Sequence, residues 1–258
     1  MPRLLTVFIA GFLCSACVRS ITTVDLRPDG SGTIQQETSM SQQTLAMIKG
    51  FAPADQKGGP PPDIFSEEQA RKMAATMGVT FVSGEPIKTA DQEGYRARYS
   101  FDDITKVKVN MEPGPDMPGG KAKEDVAFTF DRRPTSSLLT IQMPQQKPGG
   151  PGPLGPLGNP AGGDPASPQA AQAMTMMKTM MKGLFIDITL NVNGRIIKTN
   201  APYVDGSRVT LLQLDFDKLL VDDAALQKLQ NASDAKSLAG LPGMKIVSDP
   251  KVTIEFTR

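Results

Sequence analysis

The sequence predicts an α+β fold, an antiparallel, meander-like sheet with a few packing helices, interrupted by a disordered Gly/Pro-rich insertion. Three observations predict it. Apolar and polar residues alternate in short runs such as Tyr95, Ala97, Tyr99, Phe101 and Leu184, Ile186, Ile188, Leu190, Val192, which is the period of half-buried strands. Helical spacing is confined to a few short segments bounded by caps and glycines. From Pro144 to Pro168, Gly and Pro supply 15 of 25 residues, leaving too few apolar groups to offset the entropy of ordering.

The chain opens with Arg3, then runs from Leu4 to Leu13 without a charge and reaches small residues before Cys17. This is the pattern of an export signal. Ten residues rise only about 15 Å as a helix, roughly half a hydrocarbon core, so the run is too short to span a membrane. Ser15-Ala16-Cys17 resembles the bacterial lipobox, in which the cysteine thiol receives a diacylglyceryl group before cleavage in front of it; Cys14 occupies the place where that motif usually has Leu. An ordinary secretory signal is the alternative. The reading adopted is a lipoprotein signal peptide over 1–16 and one envelope domain over 17–258, lipidated at Cys17. Val18 follows the cysteine, and the absence of Asp there resembles lipoproteins sent to the outer membrane, facing the periplasm in a diderm host.

Composition then excludes several classes. The formal charge of +1 falls to zero once Arg3 leaves with residues 1–16, so no global field favours nucleic acid. Cys17 is then the sole cysteine and no intrachain disulfide can form. The chain contains no His, which removes Ser-His-Asp and Cys-His nucleophiles, HExxH sites and His-ligated zinc.

The elements follow in order. Val24 and Leu26, the turn residues Arg27 to Gly32, and Thr33 to Met40 form a hairpin. Ser41 to Lys49 reads as a short helix. Ser66-Glu67-Glu68-Gln69 is a capping box, and Ala70, Met73, Ala74 and Met77 give the following helix one apolar face before Gly78 ends it. Strands are expected at Val79 to Val82 and Tyr95 to Phe101 with Gly94 at the turn; Arg96 and Arg98 fall on the solvated face, where gripping a phosphate or carboxylate is the functional alternative. Val107 to Met111 and Val126 to Phe130 form a hairpin with an enlarged Gly/Pro tip over 112–124, and Leu139 to Met143 continues the meander. After the 144–168 insertion, Gln169 to Lys182 is a helix carrying methionines at 174, 176, 177, 180 and 181. Thioethers suit Cu(I), but without His or a second Cys they read as packing or as a soft surface for lipid or protein. Leu184 to Val192 is a strand, Asn193-Gly194 a two-residue hairpin turn, and Arg195 to Thr199 its return. Asp205-Gly206 turns into Val209 to Leu214. Asp215 caps Phe216 to Leu220, and Asp222 or Asp223 caps Ala224 to Leu229; their spacing does not match an EF-hand. Val252 to Phe256 closes the chain as a strand.

The strings GYRARYSFDDI (Gly94 to Ile104) and NGRIIKTNAPYVDGSRVTLLQLDFDKLL (Asn193 to Leu220) resemble recurring blocks in uncharacterised bacterial envelope lipoproteins, and VDLRPDGSG resembles the start of the mycobacterial LppM-type lipoprotein domain. The resemblance implies an α+β domain with an antiparallel sheet and a role in handling envelope lipid or glycolipid. It transfers no catalytic residue.

The function expected is a non-enzymatic, lipid-anchored binding module for envelope lipid, glycolipid or a protein partner. No cofactor, metal or nucleic acid is expected. A structural or assembly subunit is one alternative. A carboxylate-dependent hydrolase using two of Asp102, Asp103, Asp215 and Asp217 is another.

Overall fold

The computed structural model describes residues 18–51, 64–110, 125–143, 175, 178, 181–230 and 235–258. The apolar run from Leu4 to Leu13 with Cys17, the 112–124 loop, the 144–168 insertion and Met174, Met176, Met177 and Met180 lie outside the described residues.

In chain order the elements are β1 (Val18–Leu26), β2 (Gly32–Ser41), α1 (Gln42–Phe51), α2 (Glu67–Met77), β3 (Thr80–Lys88), β4 (Gln92–Phe101) and a 3-10 turn at Ile104–Lys106. There follow β5 (Val109–Asn110), β6 (Asp125–Arg132), β7 (Ser136–Gln142), β8 (Phe185–Val192), β9 (Ile196–Thr199), β10 (Val204–Asp205) and β11 (Arg208–Asp215). The chain ends with α3 (Phe216–Leu220), α4 (Asp223–Gln230), α5 (Ala235–Leu238), β12 (Met244–Ile246) and β13 (Lys251–Thr257). The α+β class and the preponderance of strand are those the sequence predicts.

The strands form two sheets. The eight-stranded sheet runs β10-β11-β8-β1-β2-β4-β3, with β12 also on β11, and the five-stranded sheet runs β5-β6-β7-β13-β9. The second is antiparallel throughout. The first is mixed, because β1 and β8 are parallel, Arg19 opposite Phe185 through Leu26 opposite Val192. A parallel pair cannot be closed by a tight turn, so a meander alone does not describe this sheet. In both sheets, strands from before residues 144–168 bond to strands from after them. One contiguous apolar cluster draws on both sheets and on α2 to α5.

Local chemistry explains most elements. Ser41 Oγ accepts from Thr44 N at 3.2 Å and starts α1. Ser66 Oγ accepts from Gln69 N at 3.3 Å and starts α2, and Gly78 ends it at φ 69°. Only Ala70 and Ala74 of the α2 stripe are buried; Met73 is 37% exposed. β3 runs longer than expected and contains Pro86, which a sheet edge tolerates because no neighbour needs its missing N–H.

Two turns differ from expectation. The β3–β4 turn lies at 89–91, and Gly94 is inside β4. A Cβ there would come within 2.3 Å of the Thr38 carbonyl oxygen, so the glycine serves close approach of two strands. Asn193-Gly194 does not close a hairpin. Both edges of β8 are occupied, by β1 and β11, and β9 crosses to the other sheet to pair with β13. Asn193 N donates to Leu26 O at 2.8 Å, Arg195 N to Thr257 Oγ1 at 2.9 Å, and a Cβ at Gly194 would fall 2.3 Å from Thr257 O.

Candidate functional site

β1 is the strand on which the candidate site is built. Val18, the residue that follows Cys17 in the sequence, already pairs with Met40, and its strand lies in the middle of the eight-stranded sheet. Parallel pairing brings the start of β8 to the same end, and Asp215, the last residue of β11, lies opposite Phe185. Phe216 N donates to Leu184 O at 3.1 Å, which seats α3 here as well. The Arg19 guanidinium lies 4.5 Å from the centre of the Phe185 ring. An open cleft of about 430 Å³ at this end is lined by Lys178, Lys182, Asp217, Leu220 and Val221.

Carboxylates in the cleft and beside it are held by backbone N–H groups. Gly183 N donates to Asp217 Oδ1 at 2.8 Å. Asp215 Oδ1 caps α3 through Lys218 N at 3.4 Å, and its other oxygen lies 2.9 Å from Lys218 Nζ. Asp222 Oδ1 accepts from the N–H groups of Ala224 and Ala225 at 2.9 and 3.1 Å. Asp215 and Asp222 thus cap helices, as the sequence predicts, whereas Asp217 ties α3 to Gly183.

The candidate carboxylates fall into two separated groups. Asp103 Oδ1 accepts from Thr105 N and Oγ1 at 3.0 and 2.7 Å, and the side-chain bond above all holds its carboxyl below the ordinary range. Asp102 is exposed beside it. Both follow Phe101, which is in register with Gly32 and Leu26, whereas Asp215 is in register with Phe185 and Arg19. Seven strand positions separate the two levels, about 23 Å at ~3.3 Å each. Paired glycosidase carboxylates stand about 5 to 9.5 Å apart, so the two groups cannot act on one bond. Among the described residues no group of three or more His, Cys, Asp or Glu could hold a metal ion. Met181 is buried in the core.

Arg96 is committed within the sheet. Its Nη2 lies 2.9 Å from Glu37 Oε2 and its Nη1 2.6 Å from Glu85 Oε1, bonds that raise the guanidinium above its ordinary value. Arg98 is exposed.

Asp187 is the polar residue that sequence reasoning missed. It lies on β8, 4% exposed, with Arg208 Nη2 donating to Oδ2 at 3.1 Å and Gln213 Nε2 to Oδ1 at 3.3 Å. Burial pushes its carboxyl up, against the opposing pull of Arg208 and Gln213. Thr189, also buried, faces Thr23 with hydroxyl oxygens 3.4 Å apart. The signal was an Asp inside an apolar run, which alternation assigns to a solvated face.

No family model matches the chain, and no curated protein matches it. Among solved structures the chain is similar to the folded domain of the Mycobacterium tuberculosis LppM protein, determined by NMR, with 9% identity and a TM-score of 0.35 over 94% of this chain and 91% of that one. The relationship is a distant structural one.

Proposed function

We propose that the protein is a non-enzymatic, lipid-anchored envelope binding module, tethered through diacylglycerylated Cys17 after removal of residues 1–16, whose ligand is envelope lipid or glycolipid or a protein partner. The observation that carries this reading is the junction of Cys17 with Val18. The cysteine closing an export-type apolar run leads without a spacer into the central strand of the larger sheet. A single acyl chain holds a protein only marginally, whereas the diacylglyceryl group plus an N-acyl chain supplies several. The neutral charge after cleavage supports a partner recognised by shape and apolar contact. The open, partly apolar cleft at the anchored end supports it too. Among the described residues no helix is long and apolar enough to cross a membrane.

Cys17→Ser tests the anchor. The signal-cleaved variant is expected in the soluble envelope fraction with an unchanged circular dichroism spectrum, and its persistent retention in membranes would overturn the assignment. Native mass spectrometry of the cysteine-free domain, with partner pull-down beside it, separates a lipid ligand from a protein one. Absence of both would leave no binding module.

A further inference from the structure

Val221, in the turn between α3 and α4, is 85% exposed, the most exposed large apolar residue among those described. It adjoins Leu220 on the cleft wall, beside Lys178, Lys182 and Asp217. Hydrogen bonds and strand register fix this wall to the end of the sheet where β1 begins: Gly183 N donates to the Asp217 side chain at Oδ1, Phe216 N donates to Leu184 O, and Phe185 is in register with both Arg19 and Asp215. Val18 is held in the ladder opposite Met40. Consecutive Cα atoms are about 3.8 Å apart, so acyl chains on Cys17 would bring this end of the sheet to the headgroup layer. The other end of β1, at Leu26, stands about 26 Å away at ~3.3 Å per residue.

We propose that the Leu220–Val221 surface rests in the interface of the bilayer that the Cys17 acyl chains enter, with the cleft open toward the phospholipid headgroups and the 27–31 and 102–106 turns directed away. This rests on the reading of Cys17 as lipidated, and it adds the surface used and the orientation of the domain. The side chains suit the position. Lys178 and Lys182 are one helical turn apart, with Lys182 N bonded to Lys178 O at 3.1 Å, and they line the cleft beside Leu220 and Val221, where the long stems of such side chains add apolar surface. Asp217 is engaged by Gly183 N. Lysines and aspartates are both present here, so the attraction comes from the tether and from apolar burial rather than from net charge. The surface therefore accepts zwitterionic as well as anionic lipid.

The test uses the full chain, lipidated in a bacterial host and reconstituted in phosphatidylcholine vesicles carrying a headgroup-level quencher. Val221→Cys and Asp102→Cys are labelled separately with one fluorophore, since the thioether sulfur of acylated Cys17 does not react. Both positions are exposed, and circular dichroism of each variant verifies the fold. The label at 221 is expected to be quenched several-fold more than the label at 102. Equal quenching of a lipidated chain overturns the proposed surface while leaving the anchor intact. Shielding at 221 that grows with protein concentration in place of lipid, a second copy covering the surface, also overturns it. Intact mass showing an unmodified Cys17 overturns the anchor and this inference together.

Discussion

β8 and β13 each join the part of the chain after residues 144–168 to the part before it, and they do so with opposite chemistry. β8 inserts between β1 and β11, parallel to the first, and both of its faces are shielded: Ile186, Ile188 and Leu190 on one, Asp187 and Thr189 on the other. β13 lies between β7 and β9 in an antiparallel sheet. It buries Val252, Ile254 and Phe256 and leaves Thr253, Glu255 and Thr257 partly solvated. The two strands follow the general rule that parallel pairing goes with burial on both faces, whereas an antiparallel strand can keep one face wet. Their carboxylates show the consequence. Burial dominates at Asp187 and pushes its carboxyl up. At Glu255 the bonds from Ser136 Oγ at 2.8 Å and Arg133 Nη1 at 3.0 Å dominate and hold it down.

The comparison can be broken most severely by cutting the chain. With a protease site engineered at Gly155, the two fragments are expected to remain associated on size exclusion and to lose structure when separated in denaturant, because each sheet contains strands from both. Fragments that refold stably apart would contradict the shared core. At the level of single residues, Phe256→Ala on β13 is expected to cost about 3–5 kcal/mol and Leu190→Ala on β8 about 2–5 kcal/mol by denaturant midpoint, both side chains being fully buried. Their second faces should then separate the strands. Asp187→Ala, which removes two side-chain bonds, from half-exposed Arg208 and from Gln213, is expected to cost about 1–3 kcal/mol, and Thr253→Ala on the wet face of β13 less, about 1 kcal/mol, from loss of its one side-chain bond to Asn200.

The smallest and sharpest difference is in pH dependence. Asp187 is raised in the folded state, so its favourable contribution is complete below the ordinary aspartate value of about 3.9 and is lost as pH rises through the folded value. Glu255 is lowered, so its contribution is present above the ordinary glutamate value of about 4.3 and is lost as pH falls through the folded value. Asp187→Asn should remove the loss on the rising side and Glu255→Gln the loss on the acid side, each read from unfolding midpoints across pH 3 to 7. The same slope change from both variants would refute the contrast.

How much of this was legible beforehand depended on range. The caps at Ser66, Asp215 and Asp222, the hairpin at 27–31 and the strands of β4, β7, β8, β11 and β13 were all readable, because each is decided by residues within a few positions of one another. The failures were long-range. Asn193-Gly194 has ordinary hairpin chemistry, but the neighbouring edge it would have used is taken by β1, whose partner residues lie 166 positions away in the Thr23–Thr189 pair. Gly94 looked like a turn because its closest neighbour, Thr38 O, belongs to another strand. Asp187 looked solvated because the residues that shield it, Arg208 and Gln213, come from β11.

At the candidate site the division is the same. The sequence alone determined the residue types available: a cysteine closing an apolar run, no histidine, and helices opened by Ser and Asp, since composition and neighbouring side chains suffice for these. Tertiary structure alone decided that the strand beginning at Val18 is central to the larger sheet, that Leu220 and Val221 stand at the end where it begins, and that Asp103 and Asp215 lie at opposite ends. The physical reason is that strand partners are chosen by the burial of whole faces across the sheet, a property no local run of residues carries.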